Sequence, residues 1–579
     1  MIIKALADYY ERMLNDPNCD VAPPGFEKKA IPFLLVLGKD GRLVNIRDTR
    51  TGEGKKKTAR EFVVPHGEKK TYGIKANLLW DNPQYLFGVS KSGSAKDLER
   101  AAESFSQFTK RIEETFPVDG VDTGIMAVKK FLIEKDFTKV FAHEYWPEIE
   151  ETKANLTFIL EGDNHLVAQS PEVVKRIRER DGAANGVGQV CAVSGQVEQS
   201  AELHPSIKGV WGAQSSGANI VSFNLDSFRS FGKKQGLNAP IGHTTTFAYT
   251  TALNTLLAKG SRQRIQVGDA STVFWADEAH PFEHDFSAFL GEPQKGEEPD
   301  YGRIRSLLSA VRSGVLPPED NTPFYVLGLA PNASRIAVRF WYEGNVRDLK
   351  EKIARHFEDI EIVRSPRDRE YISLFQLLVA TATEGKADNI PPNLGGEIAR
   401  AVLVGASYPR TLLSGAVRRF KAEQRITRAR AAIIKGFLVR ESRLRGTTTK
   451  EVGEMLDTKN ENIGYVLGRM FAVLERIQEQ ANTSLNKTIR DTYFSAATSS
   501  PLVIFKRLQE LAVHHLAKIR NSGKSTVWLE KLMGEIMGKV PAVGIPATLS
   551  LEDQGRFAVG YYHQRQDFFK SNKEEGKGE

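Results

Sequence analysis

Apolar residues alternate as in strands along much of the first part of the chain and recur as in helices along its last third. Residues 30–48 and residues 321–341 each alternate around turn residues, Asp40-Gly41 in the first stretch and Ala330 to Ala333 in the second, so both predict β-hairpins. After about Asn393 the apolar positions repeat by three and four, as in Ile463, Leu467, Met470, Leu474, Ile477 and Ala481. The pattern predicts an α+β fold, a mixed α/β N-terminal and central body followed by a C-terminal helical bundle.

The chain is too long for a single hydrophobic core, since it has 579 residues. Changes in pattern and composition divide it into an N-terminal α/β domain, a central α/β domain, a C-terminal helical bundle and a tail that is disordered by composition. The predicted bounds are 1–180, 181–392, 393–570 and 571–579.

Composition places the chain among ordinary globular proteins, with 41% hydrophobic and 26% charged residues. Its two cysteines, Cys19 and Cys191, provide no disulfide framework. The first residues have the spacing of an amphipathic helix and not of a signal peptide, and no apolar run approaches the roughly 20 residues that span a bilayer. We therefore expect a soluble, cytoplasmic protein without a membrane partner.

Positive charge is concentrated in one window. The formal net charge is +8, and residues 418–445 hold ten Lys or Arg against two Glu, so this window alone accounts for the excess. Its apolar residues mark one helical stripe, which predicts that the basic side chains point outward, either as a solvated helix face or as a surface for a polyanion. The candidate nucleic-acid contacts are Arg418, Arg419, Lys421, Arg425, Arg428, Arg430, Lys435 and Arg440.

A second candidate cluster lies near the N-terminus, where lysines precede an amide and an indole. Lysines neutralise phosphates, asparagine can bind a base edge, and an aromatic ring can stack or wedge. The alternative is a solvated loop with a core tryptophan. The residues are Lys69, Lys70, Lys75, Asn77 and Trp80, after three lysines at 55–57.

The hairpin at 321–341 offers a third candidate, because Arg335, Arg339 and Trp341 share one predicted face while Ile336, Val338 and Phe340 share the other. This face could contact nucleic acid or a protein partner. Alternatively, the arginine stems cover a packed helix and the indole is buried.

Two motifs that suggest catalysis are incomplete. The segment NSGKST (521–526) ends like a phosphate-binding loop, but Lys518 stands where the first glycine belongs, so a turn between helices is predicted. His284-Asp285 could belong to a metal-dependent nuclease, although the remaining ligands would have to come from scattered histidines. We therefore expect no catalytic residue, metal or cofactor.

Long segments distributed in order along the chain are similar to one family. They include YGIKANLLWDNPQYLFGV, VSFNLDSFRSFGKKQGLNAPIG, FYVLGLAPNASRIAVRFW, LGRMFAVLERIQEQA and GRFAVGYYHQRQDF. In these segments the chain resembles, essentially end to end, the large subunit of the type I-C CRISPR surveillance complex, or Cascade.

That resemblance implies a non-enzymatic role in RNA-guided antiviral defence. A large subunit of this kind recognises the protospacer-adjacent motif in double-stranded DNA, aids duplex opening, holds the displaced strand and recruits a helicase–nuclease in trans. The implied partners are CRISPR RNA, target DNA, the backbone and 5′-handle-binding subunits, and small helical subunits, which an internal translation start at Met455 could supply. The cluster around Asn77 would then recognise the flanking motif, and the 418–440 residues would hold the displaced strand.

Overall fold

The computed structural model describes residues 2–16, 19, 21–52, 57–68, 73–90, 93–118, 120, 122–182, 188–290, 301–314, 318–447, 451–482 and 486–575. The chain forms two compact units: unit 1 comprises Ile3–Ser206 with Val221–Thr255, and unit 2 comprises Ile207–Ile220 with Leu256–Glu579. The predicted boundaries at 180 and 392 lie inside these units and stay predictions. The fold is α+β, as the sequence indicates.

Unit 1 is built around a four-stranded mixed sheet. The elements of residues 2–256 are α1 (Ile2–Asn15), β1 (Phe26–Ala30), β2 (Phe33–Leu37), β3 (Leu43–Asp48), β4 (Glu61–Pro65), β5 (Trp80–Asp81), α2 (Pro83–Phe87), α3 (Ala95–Thr115), α4 (Thr123–Glu134), α5 (Thr138–Phe141), α6 (Trp146–Thr152), β6 (Leu156–Leu160), α7 (Pro171–Gly182), β7 (Gln189–Val190), β8 (Val197–Glu198) and α8 (His243–Leu256). The sheet order is β3-β2-β6-β5, in which β2 and β6 are parallel and the other pairs antiparallel.

The first predicted hairpin is confirmed as β2 and β3. Every residue of β2 is buried, because the strand lies inside the sheet and packs on both faces. Gly41 supplies the one positive φ of the turn, +82°. A Cβ at Gly41 would also lie 2.8 Å from Lys130 Cβ, so the close approach of α4 independently favours glycine there.

Unit 2 combines an antiparallel sheet of order β12-β11-β10-β9 with a large helical region. Its elements are β9 (Arg264–Val267), β10 (Ala270–Ala276), α9 (Phe282–Leu290), α10 (Tyr301–Ser313), β11 (Pro323–Asn332), β12 (Arg335–Asn345), α11 (Val346–Ile360), α12 (Leu374–Thr381), α13 (Leu394–Val404), α14 (Arg410–Glu423), α15 (Arg428–Leu444), α16 (Ile463–Ala481), α17 (Ile489–Ser499), α18 (Pro501–Asn521), α19 (Val527–Met537) and α20 (Leu551–Glu575). Among the described residues no strand follows β12, which confirms the predicted C-terminal helical region.

The second hairpin forms as β11 and β12, but its details differ from the prediction. The turn lies at Ala333 and Ser334, two residues beyond the centre of the predicted turn, and Ala333 has a φ of +53°. The register shifts at Gly328/Leu329, so β12 carries an extra residue there. This bulge interrupts the alternation, and Val338, predicted to share a core face, is 41% exposed.

Helices α16 and α20 cross with their backbones in contact. A Cβ at Gly468 would lie 2.0 Å from the carbonyl oxygen of Phe557, and a Cβ at Gly560 would lie 2.2 Å from that of Tyr465. Glycines on both helices therefore permit a close crossing at the centre of the unit 2 core.

Helix α20 extends into the predicted tail. The helix runs to Glu575, so residues 571–575, which composition suggested were disordered, are helical, and residues 576–579 lie outside the described residues. No helix in the described part of the chain is long and apolar enough to cross a membrane.

Candidate nucleic-acid interface

Asn77 joins the two ends of the connection between β4 and β5, which carries the N-terminal lysine cluster. Its side chain is buried, and its Oδ1 accepts a hydrogen bond from the backbone N–H of Glu68 at 2.9 Å. Its own backbone N–H donates to Asp81 Oδ2 at 2.9 Å. The amide oxygen that was predicted to meet a base edge is thus used to tie the end of the connection to its beginning.

Arg111 of α3 also contacts both ends of this connection. It forms an ion pair of 2.7 Å with Glu68 and donates to the carbonyl oxygen of Ala76 at 2.6 Å. Lys75 is exposed near the end of the connection, while Lys69 and Lys70 lie outside the described residues. The described contacts therefore fix where the lysine-bearing connection starts and ends.

Trp80 of β5 is a core residue. Its indole Nε1 donates to the carbonyl oxygen of Pro65 at 2.7 Å, and the side chain packs among the apolar residues behind the sheet with only 3% of its surface exposed. Lys29 lies over the ring, 5.3 Å from its centroid. This arrangement favours the alternative interpretation of Trp80, in which the indole stabilises the sheet.

The basic window forms α14, α15 and the turn between them, and the structure divides its cations by burial. Arg418 and Arg425 are exposed, and Arg419, Lys421 and Arg428 are half-buried. The expectation that all these side chains point outward is wrong for Arg430, Lys435 and Arg440, which are buried on α15.

The buried cations of α15 bind protein oxygens. Arg430 Nε donates to the carbonyl oxygen of Ala380 at 3.0 Å, and its Nη2 lies 2.6 Å from a Glu423 carboxylate oxygen. Lys435 Nζ donates to the carbonyl oxygens of Glu358 and Asp359 at 3.1 and 2.9 Å. Buried charges need such partners, and these contacts join α15 to its neighbours in the core.

Arg440 belongs to a buried polar network between α11 and α15. Its guanidinium Nε lies 3.2 Å from Asp359 Oδ2, and the group covers the ring of Tyr408 at 4.5 Å from its centroid. The Tyr408 hydroxyl and His356 Nδ1 share a hydrogen bond. Burial, with the nearby Arg440 charge, lowers the pKa of His356 to about 3, so this histidine is neutral in the folded chain.

The half-buried cations are also engaged by the protein. Lys421 donates to Ser499 Oγ and, at 3.3 Å, to Gln554 Oε1, and burial lowers its pKa. Arg419 lies 3.8 Å from a Glu423 oxygen. Arg428 donates to the carbonyl oxygens of residues 369 and 370, the latter at 2.9 Å.

Arg428, the first residue of α15, bonds to the loop between α11 and α12, and that loop carries a second group of cations that was not predicted from the sequence. The loop between α11 and α12 carries three exposed arginines, and two acidic groups beside them are already engaged: Asp368 accepts from the N–H of Ser365 at 3.0 Å, and Glu370 pairs with Arg305. We call the exposed cations Arg364, Arg367, Arg369 and Arg425 the basic edge. No sequence signal could reveal it, since Arg428 follows its bonding partners in the loop by 58 and 59 residues.

The hairpin candidates are mostly satisfied within the sheet. Arg339 donates from Nε and Nη2 to Asp269 Oδ2 at 3.1 and 2.8 Å. Trp341 stacks on Tyr325, with ring centroids 5.7 Å apart and planes 15° apart. Arg335 is half-buried beside Asn219, in an isolated parallel bridge. These contacts favour a structural role for the face.

The His284-Asp285 pair is engaged by an arginine. Arg303 Nη1 donates to Asp285 Oδ1 at 2.8 Å and to the carbonyl oxygen of His284 at 2.9 Å. Within the described ranges, no group of three or more His, Cys, Asp and Glu side chains is arranged to hold a metal ion. NSGKST forms the turn between α18 and α19, as predicted, with Gly523 at a φ of +81°.

Comparison with known proteins identifies one family. Residues 6–569 match the family described as CRISPR-associated protein (Cas_Csd1), so the match covers nearly the whole chain and both units. No curated protein matches the chain.

Proposed function

The chain belongs to the CRISPR-associated Cas_Csd1 family, and from this premise we propose that it is the non-catalytic large subunit that recognises DNA targets in a type I-C surveillance complex. In this proposal it recognises the motif flanking the target, aids duplex opening, holds the displaced strand and recruits a helicase–nuclease. The observation that carries the proposal is the family match along residues 6–569. Guide RNA pairing would supply the sequence specificity.

Binding of the DNA backbone beside the flanking motif is assigned to the connection between β4 and β5. Lys69, Lys70 and Lys75 would contact phosphates, and Asn77 would hold the connection in register through its bond to the Glu68 N–H. Trp80 would support the same site from the core, since its indole anchors β5 to the end of β4. Both residues then act by positioning the lysines.

The displaced strand is assigned to the exposed cations of unit 2. Arg418 and the basic edge present five guanidinium groups, whereas the buried cations of α15 are occupied by protein oxygens. A charged track of this kind binds single-stranded DNA without sequence preference. Salt dependence should therefore follow the exposed residues alone.

The first experiment is to tag the chain in its own operon, purify it gently and sequence the RNA that accompanies it. A uniform small RNA with a repeat-derived 5′ handle supports the proposal. Absence of RNA, with the other subunits shown to be expressed, would contradict it.

A second experiment tests the DNA track in the assembled complex. The double variant Arg418→Gln/Arg425→Gln should lower the slope of log affinity against log salt by about one to two units, because each lost phosphate contact removes about 0.7–0.9 of a unit. Arg303→Gln, which removes another partly exposed arginine of unit 2, is the matched control. An unchanged slope would mean that this surface does not touch DNA.

A further inference from the structure

Phe231 is the most exposed large apolar side chain among the described residues. It lies in the connection between β8 and α8, within unit 1, and 98% of its surface is accessible. Most large apolar side chains of unit 1 are buried in its cores. An aromatic ring held fully in water contributes no buried apolar surface to folding.

The backbone at Phe231 is also unfavourable for an aromatic residue. Its φ is +51°, followed by +72° at Gly232, and the turn is closed by a hydrogen bond of 2.9 Å from the N–H of Lys233 to the carbonyl oxygen of Ser230. Glycine or asparagine fits such a position, whereas a bulky side chain is strained there. The chain thus keeps a phenylalanine at a position where its ring buries no surface and its backbone is strained.

Asn238 makes the turn rigid. Its Oδ1 accepts from the backbone N–H of Ser230 at 3.0 Å, and its Nδ2 donates to the carbonyl oxygens of Lys233 and Gln235 at 3.2 and 3.0 Å. One side chain therefore bonds to both ends of the turn, so the ring of Phe231 is presented from a preorganised base.

The connection that carries the ring has a net positive charge. Residues 222–240 contain three cations against the single acid Asp226, a net charge of +2. Asp226 pairs with Arg229 at 2.9 Å, so it is engaged on that side of the turn. Lys233 and Lys234 are exposed on the other side of Phe231.

We propose that Phe231 is a stacking residue for an unpaired nucleobase, with Lys233 and Lys234 contacting the neighbouring phosphates. An aromatic ring flanked by cations matches one base and its backbone, and stacking accepts any base. The charge of Lys233 and Lys234 complements a phosphate backbone, and the flanking Ser230 and Gly232 add no apolar surface directly beside the ring. This inference rests on the proposed function, since it deepens how the opened target is held.

The test compares Phe231→Gly, Phe231→Trp and Val543→Ser in the reconstituted complex. The probe is a guide-matched DNA duplex with an unpaired bubble next to the flanking motif. Phe231→Gly should bind it about tenfold more weakly, and Phe231→Trp should bind within about twofold of the parent. Val543 is the control because it is 95% exposed and lies in unit 2.

Stability separates this effect from misfolding. Phe231→Gly should unfold at a denaturant concentration equal to or above that of the parent, since it relieves the positive φ and removes no buried contact. Lower affinity together with undiminished stability supports the stacking role. A variant that binds the bubble as tightly as the parent overturns it.

Three further outcomes are distinguishable. Loss of guide RNA from the Phe231→Gly complex during purification, before any DNA is added, would place the nucleobase on the RNA. Loss of a protein subunit from that complex would overturn the inference in favour of a protein contact. If the parent complex itself does not bind the bubble duplex, the proposed function fails first and the stacking role with it.

Discussion

Arg440 and Arg418 are arginines of the same basic window, yet they lie in opposite environments. Arg440 is 1% exposed and lies against Asp359 and Tyr408, whereas Arg418 is exposed on α14. A buried guanidinium is costly unless it is paired, so its removal or the removal of its partner acts on stability. An exposed guanidinium acts mainly on the attraction of polyanions.

Asp359→Ala tests the buried network. The substitution leaves Arg440 without its carboxylate and weakens the hold on Arg443, so we expect the free energy of unfolding to fall by about 3–5 kcal/mol. Urea denaturation followed by circular dichroism measures the change. Asp226→Ala, which removes an exposed ion pair, should change stability by less than about 1 kcal/mol. Equal effects of the two variants would contradict the assignment.

Asn77→Ala tests whether Asn77 positions the lysine-bearing connection or contacts a DNA base directly. The variant loses the acceptor for the Glu68 N–H, so we expect a loss of about 1–3 kcal/mol in the free energy of unfolding and weaker DNA binding for every flanking sequence alike. Lys75→Ala is the matched control for stability, because this exposed residue should weaken DNA binding and lower its salt slope while leaving the free energy of unfolding unchanged. Relaxed preference among flanking sequences would instead show that Asn77 reads a base.

For single residues, the sequence predicted which side chains could bind a polyanion better than it predicted where those side chains lie. The charge window indicated a polyanion surface, but helical periodicity could not show that Lys435 and Arg440 reach carbonyl and carboxylate groups of α11, about 80 residues earlier. Likewise, the strand pattern around Trp80 left core and ligand roles open. Only the bond from its indole to Pro65 favours one of them.

Elements were more predictable than side chains, because their patterns are local. The four-and-three spacing from Ile463 to Ala481 predicts a helix where α16 lies, and the apolar positions at the chain start predict α1. The bulge of β12 was missed because the extra residue is defined by pairing with Gly328 and Leu329 on another strand. The crossing of α16 and α20 could not be predicted for the same reason, because it depends on contacts between two separate helices.

Gly468→Ala tests the crossing of α16 and α20. The added Cβ would meet the Phe557 carbonyl at 2.0 Å, so the helices must separate, and we expect a loss of about 2–4 kcal/mol despite the better helix propensity of alanine. Gly534→Ala on α19 meets no atom within 4 Å and should stabilise by about 0.5–1 kcal/mol. Opposite signs in urea denaturation would confirm the close crossing; similar values would contradict it.

At the scale of the whole molecule, mild acid should act chiefly on unit 2. Burial, followed by the Arg440 charge, lowers the pKa of His356 to about 3, and burial, followed by Lys435, lowers that of His563 to about 4. Each histidine binds a proton more readily when unfolded, with a pKa near 6.5. The contribution of these two histidines to the free energy of unfolding is therefore fully present above about pH 6.5. It declines as the pH falls toward their pKa values in the folded chain.

Between pH 7 and pH 5 we expect these histidines to cost about 2 kcal/mol each in the free energy of unfolding. Urea denaturation of the full chain at a series of pH values measures the decline. The double variant His356→Gln/His563→Gln should show a flatter profile over this range. A profile as steep as that of the parent would assign the decline to other groups.

The crossing of α16 and α20 has a consequence for the order in which the protein is made. Roughly 70 residues separate the two helices, and a ribosome adding about 5–20 residues per second takes about 4 to 14 s to synthesise them. During that interval α16 has emerged without the helix that covers Gly464 and Gly468 and supplies Tyr561 to Glu475. The core of unit 2 therefore closes only after translation has passed α20, and until then the face of α16 that α20 covers stays exposed.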